Sequence, residues 1–209
     1  MRVVLAMIPL LAGCSELDPN FAVSKWYDGV EMEENRPTPQ SLHTVGINLP
    51  GTWGRTMDQA SEGAFSWRFG DGLTWPAPCD ASLQTPEFEA GHASFLRYAW
   101  YSDIPPLSPS SALDGAIVEV QIDGEAWEPV DPNGGYPYVL DPVQIGSPLS
   151  NGEGILSGND RQWRNDYVGV ETEPGQMVRF RFRFGCDIDP SNNMGEGFFV
   201  DDVEYLIVE

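Results

Sequence analysis

The sequence predicts an all-β protein in which two antiparallel sheets pack face to face as a jelly-roll sandwich. Residues 177–184 read M-V-R-F-R-F-R-F, and this period of two is the pattern of a strand with one buried face. The chain of 209 residues has 22 Gly, 18 Pro and 11% aromatic residues, a composition typical of strands joined by turns. No long segment carries an apolar period of 3.6. Together these observations favour two packed sheets over helices.

About eight or nine strands account for the apolar segments. The clearest is a hairpin in which Asp123 and Gly124 supply the positive φ angles of a tight turn. The final strand is an apolar run interrupted by two adjacent acids, Asp201 and Asp202. Carboxylates inside a strand are costly to desolvate unless their charge is neutralised. Two alternatives are the cross-strand arginines Arg179, Arg181 and Arg183, or a bound cation. The predicted strands span 42–49, 64–69, 82–88, 93–101, 116–122, 126–130, 163–170, 177–184 and 197–208.

The amino terminus reads as an export signal. Arg2 and the apolar run 3–12 precede L-A-G-C at 11–14, which resembles the lipobox of a bacterial lipoprotein. That resemblance implies cleavage before Cys14 and lipid attachment to it; the alternative is a free cysteine after an ordinary signal peptide. The run is about 12 residues long and too short to span a bilayer. Because Ser15, not Asp, follows the cysteine, the expected location is the outer membrane, on its periplasmic or outer side.

This signal divides the chain into three parts: a lipoprotein signal peptide at 1–13, an acidic lipid-anchored tether at 14–41, and a jelly-roll domain at 42–209. The tether is predicted from its acids and prolines. An alternative is that Phe21, Trp26 and Tyr27 dock on the domain.

The charge balance limits the partners. Acids outnumber bases 32 to 11, so the net charge is -21, and removal of Arg2 with the signal makes it -22. Such a surface repels nucleic acid and anionic lipid, and it offers many oxygen ligands to Ca²⁺. No nucleic-acid partner is therefore expected.

The remaining cysteines form an even pair. With Cys14 assigned to lipid, Cys79 and Cys186 are left in an exported chain, and both lie just outside predicted strands. Neither has a second Cys or a His at ligand spacing, so a disulfide is predicted and a zinc site is not.

Six strand-and-turn segments between residues 63 and 208 carry a family resemblance. Their order and spacing resemble the jelly-roll modules attached to secreted immune inhibitor A-like metalloproteases and, more distantly, the MAM and concanavalin-like sandwiches. The protease motif H-E-x-x-H does not occur in this sequence. The segments are S-L-Q-T-P-E-F (82–88), F-L-R-Y-A-W-Y (95–101), D-G-A-I-V-E-V-Q-I-D-G-E-A-W (114–127), W-R-N-D-Y-V (163–168), P-G-Q-M-V-R-F-R-F-R-F-G (174–185) and G-F-F-V-D-D-V (197–203).

The resemblance implies a non-catalytic module that binds carbohydrate or protein, and many such modules carry a structural Ca²⁺. The corresponding calcium ligands here are Asp103, Asp114, Asp201 and Asp202. The alternative is that these acids are solvated or paired with arginine. A second candidate loop, C-D-I-D-P-S-N-N, offers Asp187, Asp189, Asn192 and Asn193 but lacks the full EF-hand pattern.

A sugar site requires an exposed aromatic ring near amide or carboxylate groups. The turn-rich segment 133–138 best meets this requirement, with Asn133, Tyr136 and Tyr138 as candidate ligand-binding residues. Catalytic motifs are weak: there is no G-x-S-x-G, and the nearest acid pair is Glu87 and Glu89.

The sequence therefore predicts a lipid-anchored, non-catalytic envelope module that recognises an extracellular glycan or protein. The alternatives are a structural envelope protein without a ligand and a concanavalin-like glycan hydrolase.

Overall fold

The computed structural model describes residues 18–31, 43–46 (backbone only), 53–70, 72–75, 77–141, 143, 146–189, 191 and 194–209. Within these ranges the regular structure consists of fifteen strands and one 3₁₀ turn, Pro19–Phe21. The strands are β1 Val23–Asp28, β2 His43–Gly46, β3 Trp53–Thr56, β4 Ser66–Phe69, β5 Cys79–Gln84, β6 Phe88–Glu89, β7 Ala93–Asp103, β8 Ser111–Ala112, β9 Gly115–Ile122, β10 Glu128–Pro129, β11 Tyr138–Leu140, β12 Gly154–Ile155, β13 Arg164–Glu171, β14 Met177–Cys186 and β15 Gly197–Val208.

Two six-stranded sheets form the sandwich. Sheet A has the order β13-β7-β15-β4-β3, and β1 also pairs with β15; sheet B has the order β10-β9-β14-β5-β2, and β6 pairs with β14. All pairings in these two sheets are antiparallel. The predicted all-β sandwich of two antiparallel sheets is confirmed. A small third sheet, β12-β11-β8, includes one parallel pairing and was not predicted.

The core lies between the sheets and is largely aromatic. Phe180, Phe182 and Phe184 of β14 are fully buried, as the period of two predicts. The ring of Phe184 stacks on Phe69 of sheet A at 4.2 Å between centroids, and Phe182 meets Tyr98 edge to face at 4.9 Å. These contacts join the two inner faces directly, and burial of such side chains is the main stabilising term.

The predicted disulfide is present. Cys79 and Cys186 are directly opposite each other on β5 and β14, with Cα atoms 5.0 Å apart. The bridge joins residues 107 apart in sequence and lies at one end of sheet B.

The predicted tether is wrong for the part of it that the structure describes. The chain from the 3₁₀ turn through β1 belongs to the domain, because β1 pairs with β15. Trp26 packs on Phe88 at 5.4 Å, and the Tyr27 hydroxyl donates a hydrogen bond to Asp202 Oδ1 at 2.6 Å. The alternative of docking through Phe21, Trp26 and Tyr27 therefore holds for two of the three, whereas Phe21 remains 83% exposed.

The arginines of β14 do not neutralise Asp201 and Asp202, because β14 and β15 lie in different sheets. They pair instead with acids on the outer face of sheet B. Arg179 lies 3.3 Å from Glu87, Arg181 pairs with Glu119, and Arg183 makes two 2.8 Å hydrogen bonds to Asp80. This face is thus a row of internally compensated charges.

No helix within the described ranges has the length and apolar character needed to cross a membrane.

Candidate functional site

A cleft on the outer face of sheet A is the candidate site whose lining combines an aromatic ring with polar side chains. Its volume is about 490 Å³. Four segments that are distant in sequence build it: the 3₁₀ turn, β7, the loop after β10, and β13. The lining residues are Asp18, Pro19, Asn20, Arg97, Asn133 and Tyr167.

The pairing of β13 with β7 forms the floor of the cleft. Tyr167 lies directly opposite Arg97 in the antiparallel register. Leu96 and Tyr98, the neighbours of Arg97 on β7, are buried in the core, so Arg97 points to the outer face. The strand alternation that builds the core therefore also exposes these two polar side chains.

Hydrogen bonds hold the wall of the cleft in place. The Tyr167 hydroxyl donates to Asn133 Oδ1 at 2.9 Å, and the Asn133 backbone N–H donates to the Tyr167 carbonyl at 2.8 Å. Arg97 forms an ion pair with Glu204 of β15. Because these side chains are positioned before any ligand arrives, they need little reorganisation to bind one.

The 3₁₀ turn closes the other side. Asp18 is its N-cap, and its Oδ1 accepts a hydrogen bond from the Asn20 N–H at 2.9 Å. Pro19 follows at the first position of the turn, where its fixed φ angle favours this geometry. One aromatic ring, two amides, one carboxylate and one guanidinium thus surround the cleft.

A second groove of about 390 Å³ lies near the start of β15. Glu196 accepts 3.0 Å hydrogen bonds from Gln59 Nε2 and from the Tyr101 hydroxyl. Burial, reinforced by Glu196, raises the pKa of Tyr101 to about 12, so Tyr101 remains a neutral donor. Arg68 pairs with Asp58. The charged groups here already have protein partners, and none of the described residues that line the groove is aromatic.

Of the three predicted sugar-binding residues, the structure brings only Asn133 to the cleft. The Tyr136 hydroxyl accepts a hydrogen bond from the Val118 N–H and donates one to the Val130 carbonyl, each at 3.0 Å. Burial raises the pKa of Tyr136 well above its usual range. Tyr138 packs against Gly158, where an added Cβ would lie 2.7 Å from the ring. Both tyrosines therefore pack within the domain and lie outside the described lining of the cleft, and their role in sugar binding stays a prediction.

The four predicted calcium ligands do not converge. Asp103 accepts two hydrogen bonds from Arg161 at 3.0 and 3.1 Å. Asp114 accepts from Trp75 Nε1 at 3.0 Å and from the Asp187 N–H at 3.1 Å. Burial raises the pKa of Asp114 to about 7. Each carboxylate is thus engaged by protein donors rather than turned toward a common point.

Asp201 and Asp202 lie at a β-bulge in β15, where Asp202 has a φ of 49°. The Asp201 side chain accepts hydrogen bonds from the backbone N–H groups of Ser61 at 2.8 Å and Glu62 at 3.4 Å. Burial raises the pKa of Asp201 to about 6. Asp202 points the other way, to Tyr27. Among the residues whose side chains are described, no group of three or more His, Cys, Asp or Glu side chains is placed to hold a metal ion.

The second candidate calcium loop is described only in part. Asp187 Oδ1 accepts a hydrogen bond from the Asp189 N–H at 2.9 Å, and Asp189 Oδ1 accepts one from the Ser191 N–H at 2.9 Å. These are turn-forming bonds. Asn192 and Asn193 lie outside the described residues.

Sequence reasoning missed Arg97, Tyr167 and the 3₁₀ turn as parts of one site. Arg97 gave the clearest signal, because it is the only charged residue in the strand A-S-F-L-R-Y-A-W-Y. A charge at that position must face solvent or a partner.

No protein-family model and no curated protein matches the chain. Several solved structures are similar in fold. The K2 cleaved adhesin domain of Lys-gingipain aligns with 86% of this chain and 96% of its own, at 13% identity and a TM-score of 0.49. A xylan-binding domain from CBM 22 aligns with 88% and 94%, at 12% identity and 0.46. The C-terminal family 22 carbohydrate-binding module of Clostridium thermocellum Xyn10B aligns with 91% and 97%, at 12% identity and 0.46. Similarity at this level assigns no function to the chain.

Proposed function

We propose that this protein is a lipid-anchored module of the bacterial cell envelope that recognises a glycan in the cleft on sheet A. The observation that carries the proposal is the convergence of Tyr167 with two amides and two charged groups around a cleft of about 490 Å³. A volume of this size is typical of small-ligand sites.

The donor and acceptor groups of the cleft suit a sugar. A sugar ring has an apolar C–H face, which packs on an aromatic ring, and neighbouring hydroxyls that both donate and accept hydrogen bonds. Asn20 and Asn133 each offer a carbonyl oxygen and an NH₂ group, while Asp18 offers acceptors and Arg97 offers donors. The site therefore holds partners for several hydroxyls around one ring face.

The charges favour a neutral glycan over a sulfated or uronic one. Arg97 is compensated by Glu204, and Asp18 adds a negative charge to the lining. The whole chain carries a charge of -21, which repels anions. A neutral oligosaccharide avoids this repulsion.

The lipobox-like sequence ending at Cys14 supports the envelope location, and Ser15 supports the outer membrane. The resemblance to accessory modules of immune inhibitor A-like proteases supports recognition rather than chemistry. Calcium has no part in the proposed site, because its lining includes none of the predicted calcium ligands.

A glycan array followed by calorimetry tests the proposal. The processed, disulfide-bonded chain is expected to bind a neutral oligosaccharide, and Asn133→Ala is expected to weaken binding about fivefold to tenfold, the worth of roughly one hydrogen bond. Asn165→Ala is the matched control, since Asn165 is also exposed and lies on β13 but does not line the cleft.

Equal loss of affinity in the two variants, or binding that neither affects, would place the glycan elsewhere on the surface. If no neutral glycan on the array binds, the proposal fails and a structural role in the envelope is favoured instead. Release of reducing ends from the bound glycan would replace recognition with hydrolysis.

A further inference from the structure

The chain between the anchor and the domain is short. Only residues 15–17 separate Cys14 from Asp18, the N-cap of the 3₁₀ turn. Four Cα-to-Cα steps span at most about 14 Å. If Cys14 carries lipid, as the proposed function holds, Asp18 at the start of the turn must lie within that distance of the membrane surface.

The turn at this end presents an aromatic side chain to solvent. Phe21 is 83% exposed and Val23 is 48% exposed. The turn is held by the Asp18 cap and by a 3.0 Å hydrogen bond from the Ala22 N–H to the Pro19 carbonyl. Phe21 therefore projects from an ordered turn that leads into β1 of sheet A.

Asp18, where the chain from the anchor joins the domain, and Phe21 belong to the same short turn. Val23 pairs with Ile207, near the end of β15. Because the two strands are antiparallel, β1 runs away from the membrane, toward the end of the sandwich where β15 begins at Gly197. A lipid on Cys14 would hold the chain at one point, and a second apolar contact adds buried area and fixes the orientation of the domain. Aromatic side chains suit the boundary between headgroups and acyl chains.

We propose that Phe21, with Val23, inserts into the boundary region of the membrane that holds the Cys14 lipid. This contact fixes the orientation of the sandwich, with the β1 end against the bilayer. The proposal rests on the lipid-anchoring part of the proposed function and not on glycan binding.

The charges at this end determine which membrane fits. Glu171 pairs in register with Ala93, which also pairs with Val208, so Glu171 lies near the end of β15, where Lys25 is already paired with Glu209. Glu171 and Glu173 are exposed. Anionic headgroups would be repelled, whereas zwitterionic ones would not.

In this orientation the wall of the cleft formed by the 3₁₀ turn borders the membrane, and the floor of the cleft lies farther from it. Arg97 of the cleft floor pairs with Glu204, three residues before Ile207 on β15. Three residues of strand span about 10 Å. The cleft floor therefore lies above the membrane boundary rather than in it.

Spin labelling of the lipidated protein tests the contact. Cys79 and Cys186 are bridged and Cys14 carries lipid, so a cysteine introduced by Phe21→Cys is the one free thiol for a nitroxide. The control is Leu73→Cys, which is 79% exposed and lies beside Gly195, at the opposite end of β15. Both proteins are reconstituted in phosphatidylcholine vesicles, and oxygen and nickel accessibilities give the label depth.

The label at position 21 is expected at a depth of about 5–10 Å, while the label at position 73 remains in water. A label at 21 that stays fully water-accessible, or a label at 73 that enters the bilayer, overturns the proposal. Mass spectrometry of the same sample reports whether Cys14 carries lipid, and its absence also overturns it. Neither result affects the glycan test, which uses the cleft residues alone.

Discussion

The buried carboxyl group of Asp114 makes the stability of this protein depend on pH in a predictable direction. Asp114 is 2% exposed. Burial raises its pKa from 3.8 to about 7, although hydrogen bonds from Asp187 and Trp75 oppose the shift. Between pH 4 and 7 the folded protein therefore retains a proton that the unfolded chain has released. The free energy of unfolding is greater at low pH and falls as pH rises through 7.

The size of the effect follows from the shift in pKa. A difference of about three units corresponds to roughly 4 kcal/mol between full protonation and full ionisation. Between pH 5 and pH 8 the expected loss of stability from this one group is about 3 kcal/mol. Asp114→Asn removes the titrating group and keeps one oxygen acceptor. The free energy of unfolding of this variant should therefore lack the part of the pH dependence that Asp114 causes.

Urea denaturation at pH 5, 6, 7 and 8 measures how the free energy of unfolding of the wild type and of Asp114→Asn changes with pH. The comparison isolates Asp114, because every other ionisable group is common to the two. The difference in unfolding free energy between the wild type and Asp114→Asn should change by about 3 kcal/mol across this range. A difference that stays constant with pH would refute the assignment of a raised pKa to Asp114.

Three further predictions concern stability. Replacing Cys79 and Cys186 with Ser should lower the urea midpoint. Loss of a disulfide between residues 107 apart lowers the free energy of unfolding by about 4 to 5 kcal/mol on the chain-entropy estimate. An unchanged midpoint would contradict this. Gly91→Ala should lower the melting temperature, because its Cβ would lie 2.1 Å from a carbonyl oxygen at the end of β15. In the control Gly54→Ala the new Cβ meets open space, so the melting temperature should stay nearly unchanged. Equal effects of the two variants would count against the packing described. Phe182→Ala should cost about 3 to 5 kcal/mol in denaturant unfolding, since the side chain is fully buried, and a cost below 1 kcal/mol would argue against its place in the core.

The sequence was most informative where apolar residues alternate. β7, β9, β13, β14 and β15 lie within two residues of the predicted segments at both ends, because the period of two is a local property of a half-buried strand. β1 was missed because V-S-K-W-Y-D lacks that alternation, and most of its side chains are exposed. Its place in sheet A depends on pairing with β15, at the far end of the chain.

Pairing between distant strands was the main source of error. The arginines of β14 were one of two predicted means of neutralising Asp201 and Asp202, the other being a bound cation. The structure places β14 between β9 and β5, and β15 between β7 and β4, in opposite sheets. Sequence distance gives no information on which sheet a strand joins.

The candidate site shows the same limit. Asn133 was identified because it stands in a turn-rich loop beside aromatic residues. Its neighbours Tyr136 and Tyr138 have the same local signals but turn into the packed interior of that loop. The meeting of Asn133 with Arg97 and Tyr167 depends on the register of β13 against β7, which composition and spacing do not determine.

The most direct test of glycan recognition is nuclear magnetic resonance of the isotope-labelled domain titrated with a neutral oligosaccharide found on the array. The largest shift changes should occur at the amides of Asn20, Arg97, Asn133 and Tyr167. The ring of Trp127 lies 4.3 Å from the Arg181 guanidinium on the outer face of sheet B. Changes that cluster around Trp127 instead, or that leave the cleft amides unmoved at saturation, would contradict the assignment of the cleft as the site.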